Sequence, residues 1–152
     1  MAQAMTVESG GLRLSFDAKD GTWSFSCENW PGFMLAELRP WLMVDFVREE
    51  AASWEVAFDS PLEVIYAFPC GVKLRMTVEA DADGIAVIPT VVNATQAEHT
   101  LVRVGLFEMA EGLAASFGEV PGDVRLLCQG NYWARIHSLA GMLADEARTP
   151  QM

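Results

Sequence analysis

The sequence predicts an all-β fold, an antiparallel β-sandwich formed by residues 1–152 as a single domain. Short segments of alternating apolar and polar residues recur along the chain. Clusters of Gly, Pro, Asp and Asn separate these segments at intervals of about ten residues, a spacing typical of sandwiches and barrels. The chain has 152 residues, of which 51% are hydrophobic, so it is long enough to bury one core.

The first predicted element is a hairpin over residues 12–27. Residues 12–16 and 23–27 alternate, and the segment 17–21 between them forms the turn, with Gly21 supplying a positive φ. The segment 109–117 fits a short helix or an irregular strand, and 136–147 is predicted as one short C-terminal helix. The other predicted strands are 33–38, 41–48, 54–58, 62–68, 72–79, 85–92, 100–108 and 124–128.

The most regular alternation lies in 72–79, where every second residue, beginning with Val72, is apolar. One buried and one solvated face indicate an antiparallel sheet. The segment 85–92 is apolar on both faces and is predicted to be a central strand, although Pro89 is a residue that favours edges.

Charge and composition exclude several classes of partner. The chain has 21 Asp and Glu against 10 Lys and Arg, a net charge of -11, and no basic patch that would bind nucleic acid or an anionic membrane. No apolar run approaches the ~20 residues of a membrane span. The N-terminus has no signal-peptide pattern, so we predict a cytoplasmic protein with reduced thiols.

The sequence contains no self-sufficient catalytic constellation. It has no G-x-S-x-G, P-loop or G-x-G-x-x-G motif. His99 and His137 lack acidic residues at metal-ligand spacing, and the three cysteines lack a C-x-x-C pair. Asp81 and Asp83 precede Gly84 in the segment 81–84 (DADG), a pattern that fits a hairpin turn better than a calcium loop. We therefore predict no catalytic residue, metal or cofactor for this chain alone.

Asp45 lies inside a predicted apolar strand, between Val44 and Phe46. If it shares a buried face with Met43 and Val47, its burial makes it a candidate site residue. The favoured alternative places Asp45 in solvent and the opposite face of the strand in the core, with Leu42, Val44 and Phe46.

Five tryptophans make aromatic contacts a second source of candidates. Trp30 and the pair Tyr132–Trp133 fall in turn-like segments, where part of a ring can be exposed. Indole faces stack on sugar rings, so carbohydrate contact is chemically sensible. The favoured alternative for each tryptophan is that it fills the core or seals a contact with another domain.

Several segments resemble one known family. Residues 12–23 (LRLSFDAKDGTW), with their D-x-x-x-G-T turn, resemble the opening hairpin of the N-terminal β-supersandwich domain of α-galactosidase and raffinose-synthase-type glycoside hydrolases. Residues 72–79 and 85–93 look like a later part of that domain, with 91–95 (VVNAT) similar to its V-x-N-x-T element. Residues 129–133 (QGNYW) are similar to its glycine-aromatic motif, whose tryptophan helps to wall the sugar pocket.

This resemblance implies a non-catalytic accessory domain that packs against a catalytic barrel and lies at the rim of a carbohydrate site. Trp133 and Tyr132 would stack on sugar, and Asp45 would be a polar contact. The family's catalytic aspartates lie in a barrel that these 152 residues do not contain. The alternative is a stand-alone sandwich or barrel that binds a small apolar ligand or forms a homo-oligomer, suggested by eight methionines and by the segment 85–92. Hydrolysis by a pair of acidic residues ranks last.

Overall fold

The computed structural model describes residues 4–30, 32–82, 84–109, 115–117, 125–129 and 134–138, with side chains as far as residue 108. Every regular element in these ranges is a β-strand, which confirms the predicted all-β fold. The strands are β1 (Ala4–Ser9), β2 (Leu12–Asp17), β3 (Thr22–Cys27), β4 (Phe33–Val44), β5 (Val47–Glu50), β6 (Ser53–Asp59), β7 (Leu62–Ala67), β8 (Val72–Ala80), β9 (Ile85–Asn93), β10 (Leu101–Met109), β11 (Ala115–Phe117), β12 (Arg125–Gln129) and β13 (Ala134–Ser138).

The strands form two principal antiparallel sheets. The first sheet has the order β1-β2-β3-β4-β10, and β5 and β11 also pair with β4. The second sheet is a four-stranded meander with the order β6-β7-β8-β9. Strands β12 and β13 pair with each other as a separate antiparallel ladder.

The two sheets pack face to face around one core. The rings of Phe16 on β2 and Tyr66 on β7 meet edge to face across the interface, with centroids 6.4 Å apart. The buried Tyr66 hydroxyl donates a hydrogen bond of 3.1 Å to the carbonyl of Gly21 in the β2–β3 turn. The fold is therefore a β-sandwich. Its buried apolar residues are Leu14, Phe16, Trp23, Leu38, Leu42 and Val44 from the first sheet, and Leu62, Val64, Tyr66, Phe68, Val72, Leu74, Met76 and Val78 from the second sheet and its β7–β8 turn.

The β2–β3 hairpin and strand β8 follow the sequence prediction. Gly21 has a φ of 67°, and its N–H donates to the Asp17 carbonyl at 2.8 Å. A Cβ on Gly21 would lie 2.3 Å from the Trp54 ring, so glycine is required by both the turn and the packing. The predicted apolar face of β8 is buried throughout.

The prediction of two strands at 33–38 and 41–48 is wrong. Strand β4 runs unbroken through Pro40, which is buried. The ladder between β10 and β4 is irregular beside it, between Gly105 and Glu108, so the strand pair accommodates a residue without an N–H. The chain reverses only at Asp45 and Phe46, before β5.

The prediction that 85–92 is a central strand is also wrong. Strand β9 pairs only with β8 and lies at one edge of the second sheet. An edge position is the one that tolerates Pro89, which cannot donate to a ladder on both sides.

The ends of the chain differ in part from the prediction. Strand β1 is not predicted from the sequence, although Met5 and Val7 pack against the core. For the segment 109–117, Met109 belongs to β10 and residues 115–117 form β11. These residues therefore favour the predicted irregular strand over the alternative of a short helix. Residues 136–138 belong to β13, so the predicted helix does not begin at 136, and the remainder of 136–147 lies outside the described residues.

Candidate functional site

Asp45 lies in the two-residue turn that joins β4 to β5, and not inside a strand as the sequence predicted. Asp45 and Phe46 have φ values of 51° and 65°, the left-handed conformation that a tight hairpin of this kind requires at both positions. The Asp45 N–H donates to the Thr100 carbonyl at 2.9 Å, and the Thr100 N–H donates to Asp45 Oδ1 at 2.8 Å. Asp45 therefore joins the β4–β5 turn to the residue that precedes β10.

His99 is the second side chain of this turn. Its Nδ1 lies 2.7 Å from Asp45 Oδ2, and because an ionised carboxylate only accepts hydrogen bonds, Nδ1 is the donor. The loop after β9 brings His99 to this place. Asn93 shapes that loop, since its Nδ2 donates to the Ala97 carbonyl at 2.7 Å and its Oδ1 accepts from the Thr95 N–H at 2.9 Å.

The electrostatics of the turn stabilise the charged form of Asp45. The hydrogen bond from His99, followed by that from the Thr100 backbone, lowers the pKa of the Asp45 carboxyl below its ordinary value. No acidic residue at metal-ligand spacing from His99 in the sequence indicates this pair. The true partner lies 54 positions away, and only the pairing of β4 with β10 brings the two together.

An apolar surface adjoins the Asp45–His99 pair. Val47 on β5 and Leu101 on β10 both pair with Val44 of β4, and both are exposed. Phe46 projects from the turn with 79% of its surface accessible. Together with the exposed Val102, these residues form the corner patch: Phe46, Val47, Leu101 and Val102.

Among the residues whose side chains the structure describes, the Asp45–His99 pair provides two members of a catalytic triad and no third. No described Ser, Thr or Cys side chain is hydrogen-bonded to the His99 ring, so the arrangement provides no activated nucleophile. Within the described residues, no group of three or more His, Cys, Asp or Glu side chains could hold a metal ion. This geometry fixes the corner and displays an apolar surface.

A charged cluster covers the outer face of the first sheet. The Arg48 guanidinium lies 4.5 Å above the Trp41 ring, donates to Glu50 Oε1 at 2.8 Å and pairs with Glu108 across the sheet. The Trp41 ring rests on Gly105, where a Cβ would be 2.1 Å from Nε1. The cluster links side chains of β5, β4 and β10, and Arg48 covers one face of the Trp41 ring.

Cys70 has a structural position. It lies in the β7–β8 turn, and its N–H donates to Glu49 Oε2 at 3.0 Å. Burial, and then Glu49, raise the pKa of the Cys70 thiol above its ordinary value, which disfavours the reactive thiolate.

Trp30 is the described tryptophan with a large exposed surface. It lies in the β3–β4 turn and is 42% exposed. Phe33 stacks on the indole with ring centroids 4.8 Å apart and an interplanar angle of 15°. Tyr132 and Trp133, the residues predicted to stack on sugar, lie outside the described residues, so their role stays a prediction.

Comparisons with protein-family models, curated proteins and solved structures found no match to the chain. In the part of the chain that the structure describes, no helix is long and apolar enough to cross a membrane.

Proposed function

We propose that this chain is a non-catalytic β-sandwich domain that packs against the surface of another protein domain through the corner patch. The observation that carries this proposal is the conformation of Phe46. A bulky residue with φ of 65° occupies a backbone region that costs about 1–2 kcal/mol for residues with a Cβ. Packing of its side chain offsets little of this cost, because 79% of the residue's surface is accessible to solvent.

Strain without compensating burial points to a role outside folding. An exposed aromatic side chain at a turn tip is suited to insert into an apolar pocket of a partner, where aromatic residues contribute most to binding. The hydrogen bonds of Asp45 to His99 and Thr100 hold the turn in place before binding, which lowers the entropic cost of association.

The net charge of the chain indicates which charge the partner's surface carries. With a net charge of -11, the domain is attracted to a surface that is basic around its apolar pocket and repelled by an acidic one. A catalytic barrel domain is the partner that the resemblance to glycoside hydrolases implies.

Photocrosslinking from position 46 tests the proposal. We would replace Phe46 by p-benzoylphenylalanine and irradiate cells that naturally make the protein. We expect one discrete adduct with a partner surface, and we expect its loss when Val47→Lys and Leu101→Lys are added to the same chain. Position 58 is the control, because Phe58 is also exposed, at 64%, but lies on β6 of the other sheet. No adduct from position 46, or the same adducts from position 58, would contradict the proposal.

A second candidate function, carbohydrate contact, is favoured by the exposed indole of Trp30. Phe33 stacks on the indole, so the aromatic pair forms a platform on which a sugar ring can stack. Glu28 and Asn29 are exposed beside it in the chain and carry groups that hydrogen-bond hydroxyls.

Titration with oligosaccharides, followed by tryptophan fluorescence, tests this second function. We expect a change at millimolar sugar that Trp30→Ala abolishes and Trp30→Phe retains in part, since phenylalanine keeps a stacking face. A Trp133→Ala variant tests the pocket role that the resemblance implies. An unchanged spectrum in the parent protein excludes sugar binding by this chain alone.

A further inference from the structure

Strand β9 differs from the other described edge strands of more than three residues because it carries no charge. Its nine residues, IAVIPTVVN, contain no Asp, Glu, Lys or Arg. Its pairing with β8 is regular from Ile85 to Asn93 without a register shift, and no strand in the described ranges pairs with its other side. Proteins normally protect such edges with charged residues or bulges.

Every other edge strand of more than three residues in the described chain has charged residues. Strand β1 carries Glu8, and β5 has three charged residues in four positions. Strand β6 carries Glu55 and Asp59 and a register shift, and β10 carries two charged residues and two shifts. Strands β12 and β13 each contain an arginine. Strand β9 relies on Pro89 alone.

We propose that β9 is a self-association edge, at which two copies of this chain pair antiparallel about a two-fold axis at Thr90. This inference is independent of the corner patch, because it rests on a different sheet. A strand without charge is the place where two molecules of net charge -11 approach each other with the least repulsion.

The outer face of β9 is complementary to itself in this register. Ile88 and Val92, with exposures of 46% and 40%, lie two residues on either side of Thr90. Pairing Thr90 with the partner's Thr90 sets each Ile88 opposite the partner's Val92. Cross-strand pairs of β-branched residues are stabilising, and the pairing covers apolar surface that is otherwise exposed.

The position of Pro89 agrees with the same register. A proline fits an edge strand where its nitrogen faces away from the neighbouring strand. Val87, Val91 and Asn93, at alternate positions from Pro89, then direct their backbone groups to the free edge as well. In this register the Val91 N–H donates a hydrogen bond to the carbonyl of the partner's Pro89. The backbone of Val87 exchanges two hydrogen bonds with that of the partner's Asn93. Because proline has no N–H, each copy lacks one hydrogen bond at Pro89, and the other backbone groups of the ladder are paired.

Cysteine crosslinking tests this register. Thr90→Cys brings two cysteines together at a non-hydrogen-bonded pair, with Cα atoms about 4.5 Å apart, within the roughly 4.4–6.8 Å of natural disulfides. We expect a disulfide-linked dimer under mild oxidation. Ala86→Cys is the matched control on the same strand, because the two copies of residue 86 are about 27 Å apart in this register. The parent protein, with Cys27, Cys70 and Cys128, gives the background.

The association itself is measured by sedimentation equilibrium of the whole chain. We expect a dimer, and an increase of about tenfold or more in its dissociation constant for the double variant Ile88→Lys, Val92→Lys, which places four added positive charges at the junction. Phe58→Lys, on the opposite edge of the same sheet, leaves the dimer unchanged. A parent that stays monomeric at all concentrations, a dimer unaffected by the double variant, or equal crosslinking at positions 86 and 90 overturns the proposal.

Discussion

At the residue scale, Asp45 shows what alternation can and cannot reveal. Leu42 and Val44 are buried, as the favoured sequence interpretation had it, but Phe46 is exposed. The alternation stops because the chain turns at Asp45 and Phe46. Aspartate is favoured at the first position of such a turn, but Phe46 occupies the second position, where glycine would mark the turn in a sequence. The partner of Asp45 could not be predicted either, since contact with His99 depends on strand pairing.

The lowered pKa of Asp45 predicts a pH dependence of stability. A carboxyl whose pKa in the folded state is below its ordinary value of 3.8 stabilises the fold above that value. This contribution is lost as the pH falls through the folded-state pKa. We therefore expect the difference in unfolding free energy between the parent and Asp45→Asn to shrink as the pH is lowered below 3.8.

Urea denaturation at a series of pH values measures that difference. Asp20→Asn removes the same charge from the exposed β2–β3 turn and shows the effect of net charge alone. A difference between the parent and Asp45→Asn that is constant across the acidic range would mean that the carboxylate does not take part in the turn.

At the scale of elements, the strands with regular alternation were predictable and those that break it were not. Strand β8 alternates between buried and accessible residues from Val72 to Val78, so its period and its burial agree. Strand β4 continues through Pro40, beside which its ladder with β10 is irregular, and the sequence does not show which strand lies next to it. Strand β9 is apolar on both faces although one face, with Ile88 and Val92, is exposed, so burial within this chain does not explain its composition.

The packing of Trp41 on Gly105 predicts a coupled effect of substitution. Gly105→Ala places a methyl group 2.1 Å from the indole nitrogen, so the ring and the Arg48 above it must move. We expect a loss of about 1–3 kcal/mol of stability in the parent, the usual cost of overpacking. In a Trp41→Ala background the new methyl group has no indole ring to clash with, so we expect the same substitution to leave the unfolding free energy almost unchanged.

Denaturation of the four chains of this double-mutant cycle measures the coupling. An equal cost of Gly105→Ala in both backgrounds would show that the Trp41 contact does not hold β4 against β10.

At the scale of the whole molecule, the alternating segments and the spacing of the turns predicted the sandwich, and the length and hydrophobic content of the chain predicted a buried core. The sites were less predictable, because they depend on which turns meet. Trp133 and Tyr132 lie outside the described residues, and Asp45 lies at an exposed corner. The link between the sheets through Tyr66 and Gly21 joins residues 45 positions apart, which alternation alone does not reveal.

That link predicts the effect of removing one hydroxyl. Tyr66→Phe keeps the ring contact with Phe16 but leaves the Gly21 carbonyl without its buried donor. We expect a loss of about 1–2 kcal/mol in unfolding free energy, the range for a buried hydrogen bond with one partner left unsatisfied. Thermal and urea unfolding measure it, and a variant as stable as the parent would contradict this account of how the sheets are joined.

The central claim is that Phe46 is held outside the core for recognition, at a cost to the stability of the fold. The unfolding free energy of Phe46→Gly, compared with Phe46→Ala, tests it most directly. Both variants remove the ring, but only glycine relieves the left-handed strain, so we expect Phe46→Gly to be more stable than the parent by about 0.5–1 kcal/mol and Phe46→Ala to show no such gain. If Phe46→Gly is instead less stable than the parent, Phe46 contributes to folding, and the claim is contradicted.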